Sequence, residues 1–150
     1  MVSEEMPQVK LLLDYAMHFV DQPYRWGGES PLRGFDCSGL VQEILKSAGE
    51  DPAGDQTAQA LYDHFEKNGH YGLCNAGCIA FFGKDALHVT HVGFCIDPYR
   101  MIEAGGGDSS VKTRTDAEEK NAFVRIRLIK SRSDLVATIK PYYNKIGAIC

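Results

Sequence analysis

The chain has 150 residues, of which 44% are hydrophobic and 24% charged, with a formal net charge of −4. That size suits one domain spanning residues 1–150 with a real core, and the composition is globular rather than disordered or fibrous. An acidic balance without a basic stripe argues against a nucleic-acid partner, and no apolar run nears the roughly 20 residues of a membrane span.

Residues 7–20, "PQVKLLLDYAMHFV", place Val9, Leu12, Leu13, Ala16, Phe19 and Val20 three and four apart, which predicts an amphipathic helix with Pro7 in its first turn. Residues 21–34, "DQPYRWGGESPLRG", hold two prolines and three glycines and are expected to be loop without regular structure. A second helix is expected from Cys37, burying Leu40, Val41, Ile44, Leu45 and Ala48 and closing at Gly49. A third is expected within 55–67, with Thr57 as its N-cap.

Beyond residue 70 the period shortens. Residues 77–83, 91–97, 100–106 and 122–129 read as strands rich in Val, Ile and Phe. In the last, Val124, Ile126 and Leu128 alternate with Arg125 and Arg127, as in a sheet with one wet face. Residues 133–145, "SDLVATIKPYYNK", are expected to form a closing helix interrupted at Pro141. Helices first and strands afterwards predict an α+β fold, an antiparallel sheet packed on the early helices.

Residues 34–39, "GFDCSG", put a thiol where the second helix begins. Cysteine attacks as the thiolate, and a helix N-terminus or a cationic neighbour favours that form. Asp36 is suited to cap the turn, leaving the Cys37 N–H free to face a developing oxyanion. Five cysteines leave at least one unpaired within the chain, in keeping with a reducing compartment or a working thiol.

A catalytic thiol needs a base, and the base needs an orienting partner. His18 and His64 fall within amphipathic helices and His70 in a loop. In "ALHVTHVGFCID" the two histidines project to opposite faces, so one alone can meet Cys37; His91 begins the apolar run and is the candidate base, and His88 lies at the strand's entrance or in the loop. The next strand, "MIEAGGG", offers one polar side chain, Glu103, to fix the imidazole. His70, Cys74 and Cys78 have ligand-like spacing that matches no zinc motif, and no metal or other cofactor is expected. Cys95 is expected in the core.

"PYRWGGESPLRGFDCSGLVQEIL", then "HVTHVGFCID" and "MIEAGGG", together resemble the NlpC-type papain-like cysteine peptidases over roughly residues 8 to 106. The resemblance implies a papain-like α+β fold, with Cys37 as nucleophile, His91 as base and Glu103 in the orienting position, where that family usually has histidine, asparagine or glutamine. It implies that Tyr24 lines the site and assists the oxyanion, and that Asp36 and Ser38 shape the substrate pocket. It further implies a peptidoglycan or muropeptide substrate, cut between γ-D-glutamate and diaminopimelate or lysine. A second departure stands before the "FF" pair, where Ala76-Gly77-Cys78 replaces the usual Pro-Gly-Asp. Two rival expectations share the fold: an amidase or acyltransferase acting on another amide or lipid, and an inactive binding module. "MVSEEMPQVK" lacks the pattern of a secretory signal, so the expected location is cytoplasmic, or phage-borne and released to act on the wall.

Overall fold

The computed structural model of the chain describes residues 7–143. Helix α1 (Pro7–Met17) buries Val9, Leu12 and Ala16. The expected helix to residue 20 stops short because the backbone tightens into turns, His18 N to Tyr15 O and Phe19 N to Ala16 O, before Asp21 reverses it at φ +74°. Phe19 still reaches the core.

The segment expected to lack regular structure holds a small antiparallel ladder, β1 (Glu29–Ser30) against β2 (Gly34–Phe35). Its turn is closed by the Arg33 N–H donating to Ser30 O. Pro31 then occupies the second turn position, which its fixed φ favours. The residues that argued against order here are those that make the hairpin.

Helix α2 (Cys37–Lys46) buries Leu40, Val41, Ile44 and Leu45, and α3 (Ala58–Lys67) is capped by Thr57, whose side chain accepts from Ala60 N at 3.1 Å. A fourth helix, α4 (Arg114–Lys120), has a reciprocal capping box between Thr113 and Asp116 and ends at Asn121 in the left-handed region.

Six antiparallel strands form the sheet: β3 (Gly69–Tyr71), β4 (Ile79–Gly83), β5 (Val89–Cys95), β6 (Arg100–Gly105), β7 (Phe123–Leu128) and β8 (Leu135–Pro141), in the order β3-β8-β4-β5-β6-β7. The closing helix expected over 133–145 is therefore corrected: its described part is a strand inside the sheet, and 144–145 lie outside the described residues. Val136, Thr138 and Ile139 are β-branched and suit a pleated, half-buried surface better than a helix. Ile139 pairs with Ile79 on one side and Tyr71 on the other, and Pro141, which has no N–H to give a ladder, sits at the strand's end opposite Gly69.

One sheet face carries Ile79, Phe81, Val92, Phe94, Ile102 and Val124 into the main core with the helices. The other carries a smaller cluster of Cys78, Ala80, Phe82, Cys95 and Met101, with Cys74 packed on it. Arg125 and Arg127 lie on this second side and Val124 is buried, as the pattern predicted, but Ile126 is only half-buried and Leu128, expected on the dry face, is exposed at the strand's end. The mixed α+β architecture agrees with the sequence reading.

Candidate active site

Cys37 is the first residue of α2, and the Asp36 carboxylate caps that helix by accepting from Gly39 N at 2.7 Å. The same carboxylate accepts from Gly27 N at 3.1 Å and from the Ser38 hydroxyl at 3.2 Å. It thereby ties the "YRWGG" loop to the helix start. Because the cap uses Gly39, the amide of Cys37 is not consumed by it. Burial pushes the Asp36 carboxyl above its usual range, against these three hydrogen bonds.

Backbone meets backbone behind the nucleophile's turn. Gly28 O accepts from Asp36 N at 3.0 Å, and a Cβ on Gly39 would overlap that same carbonyl oxygen. Gly39→Ala is accordingly expected to cost about 1–3 kcal/mol by overpacking and to displace Cys37. Chemical denaturation reads the first effect and turnover the second; wild-type values in both would refute the packing argument. Gly107 plays the matching part on the far wall, where an added Cβ would run into the Tyr24 ring.

His91 comes from β5 and Glu103 from the neighbouring β6. Both are buried, at 9% and 3% exposure. His91 Nε2 is hydrogen-bonded to Glu103 Oε2, and the His91 ring shares the cleft with the Cys37 side chain, which stands near enough to raise the imidazole's pKa. With Nε2 taken, Nδ1 is the nitrogen left for sulfur. Burial alone would depress His91, but the hydrogen bonds and charges of Cys37 and Glu103 override it and hold the imidazole up at about 9. Burial likewise opposes ionisation of Glu103, yet His91, Arg127 and Arg132 bring its carboxyl below the usual range. Arg127 Nε stands 3.5 Å from Glu103 Oε1, so each carboxylate oxygen faces a cation or its donor.

Tyr24 is held by its backbone between strands, donating to Ala122 O at 3.0 Å and bridging to Phe35. Burial, then the charges of Cys37, Asp36 and Asp108, push its phenol far above the usual range. It therefore stays protonated and able to donate.

These residues open on a cleft of about 590 Å³. Tyr24, Asp36, Cys37, Ser38 and His91 line it, so the structure gathers the expected residues around one concavity while Glu103 stands behind His91. His88 takes no part; it is exposed and pairs with Asp85 at 2.7 Å. Nor do His70 and the cysteines converge: His70 is exposed against the Tyr142 ring, Cys78 is buried, and among the described residues no three His, Cys, Asp or Glu could hold a metal ion.

Among the parts of the wall that sequence reasoning missed are Trp26, Asp55, Asp108 and Arg132. Trp26 stands in the "YRWGG" stretch and Asp108 directly follows the glycine run, so proximity to motifs could have found both. Asp55 and Arg132 carried no local signal.

The NlpC/P60 family profile matches residues 21–128. The Bacillus subtilis protein named bifunctional muramidase/DL-endopeptidase CwlT is 34% identical over 113 residues, 74% of this chain and 33% of that protein. The chain thus spans about a third of that relative's length. Among solved structures, an NLP/P60-family protein of Staphylococcus aureus superposes with a TM-score of 0.68 at 25% identity, over 95% of this chain and 44% of the other. RipD of Mycobacterium tuberculosis, described as a non-catalytic NlpC/p60 domain protein adapted to peptidoglycan binding, superposes with a TM-score of 0.66 at 16% identity, over 92% and 99%; that likeness concerns the fold alone. With the profile running from the loop before Tyr24 through the last residue of β7, the chain belongs to the NlpC/P60 family.

Proposed function

We propose that this chain is a cysteine endopeptidase that hydrolyses the amide between γ-D-glutamate and the diamino acid of peptidoglycan stem peptides. The family contains proteins named peptidoglycan hydrolases, SagA and RipB among them, and a relative carries the name DL-endopeptidase. The observation that carries the reading is the relay itself: Cys37 at a helix start faces a cleft that His91 also lines, and Glu103 holds His91 from behind.

In this mechanism Cys37 sulfur attacks the scissile carbonyl carbon, forming the C–S bond and pushing electrons onto oxygen. The Cys37 N–H and the Tyr24 hydroxyl receive that oxyanion, a type of interaction worth about 3–4 kcal/mol per donor. Collapse breaks the C–N bond, and His91 gives its proton to the departing amine. Water then attacks the thioester as His91 accepts a proton, a C–O bond forms, and the C–S bond breaks to release the acid. Glu103 keeps the ring oriented throughout.

Digestion of diaminopimelate-type and lysine-type peptidoglycan, followed by mass spectrometry, tests the assignment. The expected products are fragments with a new γ-D-glutamyl carboxyl terminus and fragments with a new amino terminus on the diamino acid. Cleavage confined to glycan bonds or to the muramoyl–alanine amide would refute it.

A further inference from the structure

The cleft is polar in an uneven way. Asp36, Asp55 and Asp108 line it, and among the described residues that line it Arg132 is the one Lys or Arg. The acids belong to the nucleophile's side: Asp36 precedes Cys37, Asp55 influences Asp36, and both Asp36 and Asp108 influence Tyr24. Arg132 belongs to the side of the base. Its guanidinium lies 5.1 Å from the centre of the Phe82 ring, and that ring is 5.7 Å from the His91 ring.

Arg132 is also fixed before any substrate arrives. Nε and Nη2 reach the two oxygens of Asp134 at 3.0 and 2.8 Å, a two-pronged grip that sets the plane of the group. That grip uses Nε–H and one N–H of Nη2, leaving Nη1 to offer donors. The side chain remains 34% exposed.

Chemistry orients the substrate against this frame. His91 protonates the departing amine in the proposed mechanism, so the wall next to His91 faces the leaving residue. A carboxylate on the leaving residue, turned toward the His91 side of the cleft and away from Asp36, Asp55 and Asp108, meets the guanidinium of Arg132 there. We propose that Arg132 is a specificity-determining residue that receives a carboxylate of the leaving diamino acid. This rests on the peptidase reading above and adds a preference to it. Two carboxylates could serve: the α-carboxylate of the residue at the cut, or the side-chain carboxylate that diaminopimelate has and lysine lacks.

The test compares kcat/KM for L-Ala-γ-D-Glu-diaminopimelate peptides carrying both carboxyls as carboxamides, only the α-carboxyl free, or only the side-chain carboxyl free. At least one free-acid peptide is expected to be cut about tenfold or more faster than the diamide, the usual worth of a hydrogen bond to a charged group. Which one identifies the carboxylate. Arg132→Gln is expected to bring that ratio to about one. Equal cleavage of all three peptides by the wild type, or an equal fall for all three in Arg132→Gln, would overturn the proposal. Failure of the wild type to cut any of them would instead sink the peptidase reading. Calorimetric binding of the same peptides to the Cys37→Ala protein would then still read the carboxylate preference, and equal affinities would overturn it.

Discussion

Cys37→Ala is expected to lower kcat for stem-peptide cleavage by about 10⁴- to 10⁶-fold, the scale seen when a covalent nucleophile is removed from a hydrolase. No other described thiol is placed to substitute. Cys78 and Cys95 are buried on the other face of the sheet, where burial pushes both thiols up and keeps them protonated. Cys74 packs on the same cluster and donates to Pro98 O. Folding should survive the change: the Cys37 side chain is only half-buried, the cap is made by Asp36 and Gly39, and alanine is the best helix former. Activity should therefore vanish while the thermal transition stays within a few degrees of wild type. Iodoacetamide at neutral pH should label Cys37 ahead of the other described cysteines. Cleavage by Cys37→Ala above one part in a hundred of the wild-type rate, with contaminating hydrolase excluded, would end the acyl-enzyme mechanism.

The nucleophile's turn was legible because its chemistry is local. An acid, a thiol and small residues ahead of a helix-spaced apolar run have one economical use, and the cap from Asp36 to Gly39 spans three residues. His91 and Glu103 are 12 residues apart yet meet across adjacent strands; alternation set His91 and His88 on opposite faces, and the apolar run that begins at His91 chose between them. The α4 helix was not predicted: its local signal, the capping pair Thr113 and Asp116, went unread because its seven residues hold only one buried side chain, Ala117, and so give almost no apolar period. β8 was harder. Residues 133–140 carry no glycine or proline to break a helix, and what makes them a strand is the partnership with β3 and β4, contributed by residues about 60 positions away. Arg127 and Arg132 were illegible as parts of the site for a related reason. Arg127 reads as one charge on a wet face, and only the register of β6 against β7, with Met101 opposite Arg127 and Glu103 opposite Arg125, brings it diagonally to Glu103.

The departure at the third position has consequences that separate charge from orientation. Glu103→Ala leaves His91 Nε2 buried without its acceptor and frees the ring to turn, so kcat/KM is expected to fall about 10²- to 10⁴-fold. Glu103→Gln keeps an oxygen able to accept from Nε2 but removes the negative charge, so it should recover much of that loss at neutral pH. What glutamine cannot restore is the share of the upward hold on His91 that comes from the Glu103 charge, beside the part that Cys37 supplies. In the wild type the imidazolium persists to about pH 9, and the alkaline limb of the kcat/KM profile should lie there. In Glu103→Gln that limb should move to lower pH. Stability carries the same sign. A histidine whose folded value stands above its ordinary 6.5 stabilises the fold fully below that pH and loses the contribution as pH rises through about 9. Glu103, with its carboxyl below the ordinary 4.5, stabilises above that value and loses the contribution on acidification. The wild type's advantage over Glu103→Gln in denaturant midpoint should thus be greatest between pH 4.5 and 6.5 and shrink toward pH 9. An alkaline limb at the same pH in both proteins would mean that Glu103 acts only as a hinge for the ring, and that its charge contributes nothing to the pair of Cys37 and His91.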